Sequence, residues 1–368
     1  MTDIRFGSGG GAALDRAVAE VAPPFANAGI ALARPGAEDL FACASAEGAP
    51  TLTPDAILRA ASITKVVTGQ AVWSVLAEHP GALDADCAEI FGPALRPPGG
   101  SAVTARHLLA HTSGLWDEGD MPVPSEEPLP DWLARARGIW SPDGPGQVQR
   151  YCNLGWVIAA AAAERLAGAP LDRIVRGRIL EPLGISAGLN WSGLDADTRR
   201  RALPILRRHR DGRFEATVDN NVPPAGVALP DGAVIDVSGL APGTSAHAFS
   251  PQGGLRISLT GALRLAQALP RMARDVLWAG DRARMDDPSG AMERYGPGLM
   301  LLDRPGFYPR PLIGHFANAY GFKGGIWFDA EHDAAFVIAL NGRAFGDDDD
   351  ALDPAEGRLF AAVAEALG

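Results

Sequence analysis

Apolar positions recur at helical spacing over residues 12–22, and two short strand-like runs follow at 29–34 and 39–45, joined by the turn signal Pro35-Gly36. The strongest periodic segment comes next. Over residues 62–78, Ile63, Val66, Val67, Ala71, Val75 and Leu76 fall on one face of a predicted helix, which Pro80-Gly81 stops. The middle of the chain reads as helices separated by long loops. A short helix is predicted at 104–110 with Thr104 as its cap, then an acidic, proline-rich surface loop at 118–130, then helices at 155–166 and 171–180. Residues 191–240 show no clear period and are expected to wrap the surface. Periodicity returns with a helix at 258–269 and strands at 312–318, 324–329 and 334–341, the last two separated by a turn at Glu331-His332. Asp353 followed by Pro354 starts a final helix whose apolar stripe is Leu359, Phe360, Val363 and Leu367.

Strands therefore lie towards both ends of the chain and helices occupy its middle. The simplest arrangement is an α/β (α+β) fold in which one sheet is built from both termini, with a mainly helical domain inserted. The length, 368 residues, agrees with about two domains.

Charge narrows the choice of partners. The net charge of −11 disfavours a nucleic acid, whose phosphates such a surface repels. The longest apolar stretch, near residues 154–163, is about half of what a membrane span needs. The first residues lack the apolar core of a secretory signal, and Cys43, Cys87 and Cys152 form neither a disulfide framework nor a CxxC site. The expectation is a cytoplasmic, reduced protein without metal or cofactor.

One oddity sharpens the search for chemistry. Of 33 basic residues only Lys65 and Lys323 are lysines, so a motif built on lysine is less open to accident. Ser62-Ile63-Thr64-Lys65 opens the strong helix, and i, i+3 residues share a helix face, so the Lys65 amine reaches the Ser62 hydroxyl. A serine needs such a base to become a nucleophile, and the helix N-terminus favours a developing oxyanion. Tyr151-Cys152-Asn153, ahead of a helix, offers a phenol that can shuttle a proton and an amide that can bind a carbonyl. The third candidate is Gly314-His315-Phe316-Ala317-Asn318, on a strand, where an imidazole facing a pocket can bind substrate or pass a proton. Read singly, these are equally a capping serine with a surface lysine, a turn before a helix, and a half-exposed histidine in a sheet.

Together, in this order, the three elements resemble the penicillin-recognising serine hydrolase superfamily of class C β-lactamases, D,D-peptidases and family VIII esterases. The stretch from His107 to Leu115 is similar to the family's LLxHTSGL segment, and Ser250-Pro-Gln-Gly-Gly-Leu255 to its SPxGGL segment. The resemblance spans roughly residues 55 to 341. It implies an antiparallel sheet from both termini, with a sheet domain of residues 1–65 and 246–368, an inserted domain of residues 66–245, and the active site between them. It implies Ser62 as acyl-enzyme nucleophile, Lys65 and Tyr151 as the proton-transfer pair, and Asn153 as a substrate contact. His315, Phe316 and Ala317 fall on the substrate-binding strand, and the backbone N–H groups of Ser62 and Asn318 on the oxyanion hole.

The chain departs from the pattern at the third motif. Where β-lactamases carry Lys-Thr-Gly, it has His315-Phe316-Ala317. An imidazole, half-protonated near neutral pH, and an apolar ring replace a fixed cation and a hydroxyl, and Phe316 would pack against a short acyl chain. The expected activity is hydrolysis of small esters or amides. A β-lactamase or D,D-peptidase-type activity and a non-catalytic, ligand-binding relative stand as alternatives.

Three other patterns point elsewhere. Gly184-Ile185-Ser186-Ala187-Gly188 fits the nucleophile elbow of α/β-hydrolases, but a helix and Pro182 precede it instead of a strand. His107 and His111 have zinc-pair spacing without the glutamate of H-E-x-x-H. Gly7-Ser8-Gly9 lacks the preceding strand of a dinucleotide site.

Overall fold

The two most apolar runs of the last third are the centre of the molecule. Strands Phe322–Asp329 and Ala334–Asn341 are buried at every position, because helices cover both faces of the sheet they form. Their largely apolar sequences, without polar alternation, follow from that double covering, and the polar residues they carry, Lys323, Asp329 and Asn341, are buried as well. The computed structural model describes residues 5–7, 11–121, 123–124, 127–217, 241–273, 284–286, 294–347 and 352–368. Part of the expected 118–130 loop, the 191–240 segment from residue 218 onward, residues 8 and 9, and residues 348–350 of the acidic run lie outside the described residues.

Among the described residues the main sheet has eight strands, all antiparallel: β1 (Arg5–Gly7), β2 (Asn27–Ala33), β3 (Leu40–Ser45), β4 (Arg294–Tyr295), β5 (Met300–Leu302), β6 (Leu312–Ala319), β7 (Phe322–Asp329) and β8 (Ala334–Asn341). Their order is β1-β3-β2-β8-β7-β6-β5-β4. The N-terminal strands therefore join the C-terminal ones through the β2–β8 pair, in register from Asn27 opposite Asn341 to Ala33 opposite Ala335.

Helices α1 (Gly11–Val21) and α5 (Pro354–Leu367) pack together on one face. There Phe360 of α5 meets Trp327 of β7 and Phe336 of β8, an opposed pair in the sheet. Helix α4 (Leu259–Met272) covers the other face. Its Leu259 lies so close to Gly29 that a Cβ there would fall 3.0 Å from the leucine methyl, so β2 carries glycine at the contact. α5 starts at a capping box in which Asp353 accepts from the N–H of Ala355 and Glu356 from that of Asp353, as the Asp-Pro start predicts.

The expected 62–78 helix is a 3₁₀ turn, Ala61–Ile63, followed by α2 (Thr64–Ala77). α2 is buried nearly all round and not only along one stripe. It packs against α3 (Asn153–Ala167) and against the 296–298 loop. Gly69 is needed there: a Cβ would lie 2.4 Å from the Pro297 backbone. The expected 171–180 helix is Leu171–Val175 followed by a wider π-type turn, Arg176–Leu180. β4, β5 and β1 are two or three residues long, too short for a period of two to show in the sequence.

Candidate active site

Ser62 is presented by a strained turn. Ala61 holds φ +43°, a left-handed conformation that a side chain disfavours, and Ser62 follows it directly. The turn is pinned on both sides. Ala60 N–H donates to the Leu255 carbonyl at 2.9 Å, and the Thr64 hydroxyl accepts from Leu255 N–H at 2.9 Å while donating to Ala61 O. The SPxGGL-like segment thus fixes the turn that presents Ser62.

α2 then turns Lys65 back onto Ser62. The lysine is fully buried. Its Nζ lies 3.2 Å from Ser62 Oγ, 2.8 Å from Asn153 Oδ1 and 2.9 Å from the Gln252 carbonyl. Tyr151 approaches from the other side, its hydroxyl 2.8 Å from Ser62 Oγ and its ring face 4.6 Å from Lys65 Nζ. Asn153 is the first residue of α3, so one tight turn before that helix delivers both the phenol and the amide.

The histidine of the LLxHTSGL-like stretch lies beneath this group. His111, at φ +59°, stacks on Tyr151 with ring centroids 4.4 Å apart. It accepts from Cys152 N–H at 3.0 Å, and Trp156 Nε1 lies 3.2 Å from its Nε2. Burial, then the charge of Lys65, pushes its pKa well below the ordinary histidine value, so the ring is neutral. His107, its partner in the zinc-pair spacing, is instead the N3 residue of a capping box with Thr104. Among the described residues no group of histidine, cysteine, aspartate or glutamate could hold a metal ion. The three cysteines are free and buried.

The third motif reaches the site through β6, and the structure changes its chemistry. His315 is buried against Tyr295. Its Nδ1 faces the Phe316 carbonyl at 2.5 Å and must carry the proton; its Nε2 accepts from the Tyr295 hydroxyl at 2.7 Å. Burial, reinforced by Lys65, pushes the pKa down to about 3. The imidazole is therefore neutral at working pH and not half-protonated, which corrects the expectation drawn from its free pKa.

Phe316 alternates to the opposite face of the sheet. Its ring packs with Trp327 at 4.5 Å and with Phe360 and Phe307 at 6.3 and 6.4 Å, in the cluster under α5. The acyl-chain contact expected of it does not arise from that position. Ala317 is buried on the His315 side. Asn318 Oδ1 accepts from Arg343 Nη1 at 2.8 Å, and Arg343 also pairs with Asp347 at 2.6 Å. β5 pairs with β6 only at Leu312–Gly314. From His315 to Ala319 the outer edge of β6 thus has no strand partner among the described residues, and its backbone faces the side from which a substrate can approach.

Ser186 is not in this constellation. Its hydroxyl meets Thr198 Oγ1 at 3.2 Å, a π-type turn precedes it, and a two-residue strand follows it, which is not the geometry of a nucleophile elbow. Sequence reasoning passed over Asp117, which accepts four hydrogen bonds at the start of α3, and Tyr295, which holds His315. Asp117 lies two residues beyond the LLxHTSGL-like stretch, the one available signal.

Comparison with known proteins agrees with this fold. The Beta-lactamase family model matches residues 14–359. Esterase EstB of Burkholderia gladioli is 26% identical over 334 residues, 82% of this chain and 81% of its own. The D-amino acid amidase of Ochrobactrum anthropi SV3, solved with L-phenylalanine, superposes with a TM-score of 0.70 at 19% identity, over 96% of this chain and 99% of its own. A β-lactamase/D-alanine carboxypeptidase of Yersinia pestis, solved with citrate, gives 0.67 at 16% identity, over 96% and 99%. No helix among the described residues is long and apolar enough to cross a membrane. With this fold, this order of motifs and a match over nearly its whole length, the chain belongs to the Beta-lactamase family of serine hydrolases.

Proposed function

We propose that the protein hydrolyses small neutral esters or amides through an acyl-enzyme on Ser62. The observation that carries this reading is the position of Ser62 Oγ between Lys65 Nζ at 3.2 Å and Tyr151 OH at 2.8 Å. A fully protonated trio would hold no base to take the serine proton. Removing one proton gives two equivalent forms, a neutral lysine with a phenol or an ammonium with a phenolate, and either accepts the proton of Ser62.

In the first step Oγ bonds to the substrate carbonyl carbon while its proton passes to the Lys65–Tyr151 pair. The oxyanion lies at the backbone N–H groups of Ser62 and Asn318, on the free edge of β6. The bond to the alcohol or amine then breaks, and that group leaves with the proton from Tyr151. A water repeats the sequence on the ester of Ser62, giving its proton to the pair and releasing the acid. Asn153 holds Lys65 through Oδ1; one proton of its NH₂ goes to Asp117, and the other is the one it can offer a substrate carbonyl.

The preference for neutral substrates follows from the third motif. A carboxylate beside the reacting carbonyl must keep a polar or charged partner once desolvated. His315 is neutral, and Arg343 is paired with Asp347. The test compares kcat/KM for a neutral short-chain nitrophenyl ester and a chromogenic cephalosporin, in wild type and Ser62→Ala. The ester is the better substrate and Ser62→Ala abolishes turnover of both. A faster cephalosporin would return the site to β-lactamase chemistry, and an active Ser62→Ala would remove the nucleophile.

A further inference from the structure

Asn153 has an amide that could face Lys65 with either end. Lys65 carries only hydrogen-bond donors when charged, so its 2.8 Å contact is productive only with Oδ1. The other end of the same amide meets a carboxylate. Asp117 Oδ2 accepts from Asn153 Nδ2 at 2.9 Å and from Asn153 N–H at 2.7 Å, while Oδ1 accepts from Leu154 N–H at 3.0 Å and from the Cys152 thiol at 3.4 Å. A carboxylate has no donor to offer, so reversing the Asn153 amide would set oxygen against oxygen at Asp117 and N–H against N–H at Lys65.

Asp117 is itself held in place. Its neighbour Trp116 donates from its backbone to Ile139 O, and Gly114, at φ +77°, comes so near Asp143 that a Cβ would fall 2.8 Å from its carbonyl oxygen. The segment from His111 to Asp117 is also tied to Arg150 and Gly146, whose N–H groups donate to His111 O and Thr112 O. The carboxylate therefore arrives at the start of α3 on a fixed backbone.

We infer that Asp117 is a positioning residue: it locks the Asn153 amide with its oxygen towards Lys65 and so sets the proton affinity of the Lys65–Ser62–Tyr151 cluster. The inference rests on the acyl-enzyme reading given above. The Asn153 oxygen stabilises the ammonium form of Lys65 more than the amine, since a hydrogen bond to a charged donor is the stronger one. Without the lock the amide is free to turn its NH₂ to the lysine. The protonated cluster then loses an acceptor and gives up its proton at lower pH.

The experiment is a pH profile of kcat/KM on the neutral nitrophenyl ester for wild type, Asp117→Ala, Asn153→Ala and the double variant, with thermal stability measured in parallel. Asp117→Ala lowers kcat/KM by about tenfold or more, and its acid limb moves to lower pH by about one unit. In the Asn153→Ala background the same substitution costs little, because Asp117 acts through that amide. Asp117→Asn keeps the shape and part of the helix cap, so it serves where the alanine variant does not fold. Its NH₂ competes with Nδ2 of Asn153 and moves the limb in the same direction. An unmoved limb in the folded variants, with losses that add to that of Asn153→Ala, overturns the inference and leaves Asp117 as a helix cap alone. Ser62→Ala separates the two levels. If it is inactive and the limb stays fixed, only the positioning role fails; if it is active, the reading beneath it fails first.

Discussion

The chain has two lysines, both buried, and their surroundings are opposite in kind. Lys65 lies among neutral oxygens: a serine hydroxyl, an asparagine amide and a backbone carbonyl. Lys323, on β7, lies 3.5 Å from the carboxylate of Glu356 at the start of α5. A carboxylate partner favours the charged lysine over the neutral one, whereas neutral oxygens solvate either form by hydrogen bonds. The first setting suits a group that must take and return a proton; the second suits a charge that stays in place and ties a helix to a sheet. Burial alone does not distinguish the lysine proposed for proton transfer from the one that ties helix to sheet. The chemistry of its partners does.

The comparison is broken most directly at Lys65. Arginine keeps the charge but stays protonated at any working pH. Lys65→Arg therefore loses at least about a hundredfold in turnover of the nitrophenyl ester, the usual range for removing a general base. Thermal unfolding in parallel confirms that the variant is folded. A variant within a few-fold of wild type would sink the proton-transfer role. Tyr151→Phe is the companion measurement: it removes the hydroxyl that contacts Ser62 Oγ and leaves the ring on His111, so activity falls while the stack is kept.

The two settings were unequally legible in the sequence. The Ser62–Lys65 pair was readable because i, i+3 residues share a helix face, and the large strands because their apolar runs are long. Their pairing into one sheet could be read from their places at the two ends of the chain. The partners of Lys65 could not all be read. Gln252 contributes a carbonyl, which any residue would supply, and Asp117 reaches Asn153 across 36 residues through a loop with no period. Phe316 shows the limit most clearly. Alternation along a strand places it opposite His315, but which face turns to the site depends on where α4 and α5 pack. Nor did the free pKa of histidine foretell His315, whose neutrality comes from burial and the nearby Lys65.

Lys323 tests the other half of the contrast. Lys323→Met removes the cation and leaves Glu356 buried without it. Above about pH 7, where the Glu356 carboxyl is ionised, breaking such a pair from one side costs on the order of 3 kcal/mol, because an uncompensated charge remains inside. Denaturant unfolding should show a loss of that order, while kcat/KM per folded molecule stays at the wild-type value. A large loss of activity with unchanged stability would mean that Lys323 belongs to the site after all.

The smallest expected effect concerns the pH dependence of stability. Burial raises the pKa of Glu356 from 4.5 to about 7, against the opposing pull of Lys323. Between these values the folded protein holds a proton on this carboxyl that the unfolded chain has released. Stability therefore falls as pH rises from about 4.5 to about 7, the reverse of the usual carboxylate. Glu164 acts in the same direction: burial lifts its pKa to about 7 although it accepts from the N–H groups of Leu171 and Gly243. Glu356→Gln keeps the shape and removes the titration. Its unfolding free energy should lose part of the downward slope across that window, a change on the order of 2 kcal/mol between the two ends. The slope left over is expected from Glu164, and Glu164→Gln should remove it in turn. A wild-type curve that rises through the window would mean that Glu356 is already ionised there and that the Lys323 pair is a full salt bridge at every pH measured. The contrast between the two lysines would then be sharper still, one held by a permanent anion and the other by neutral oxygens.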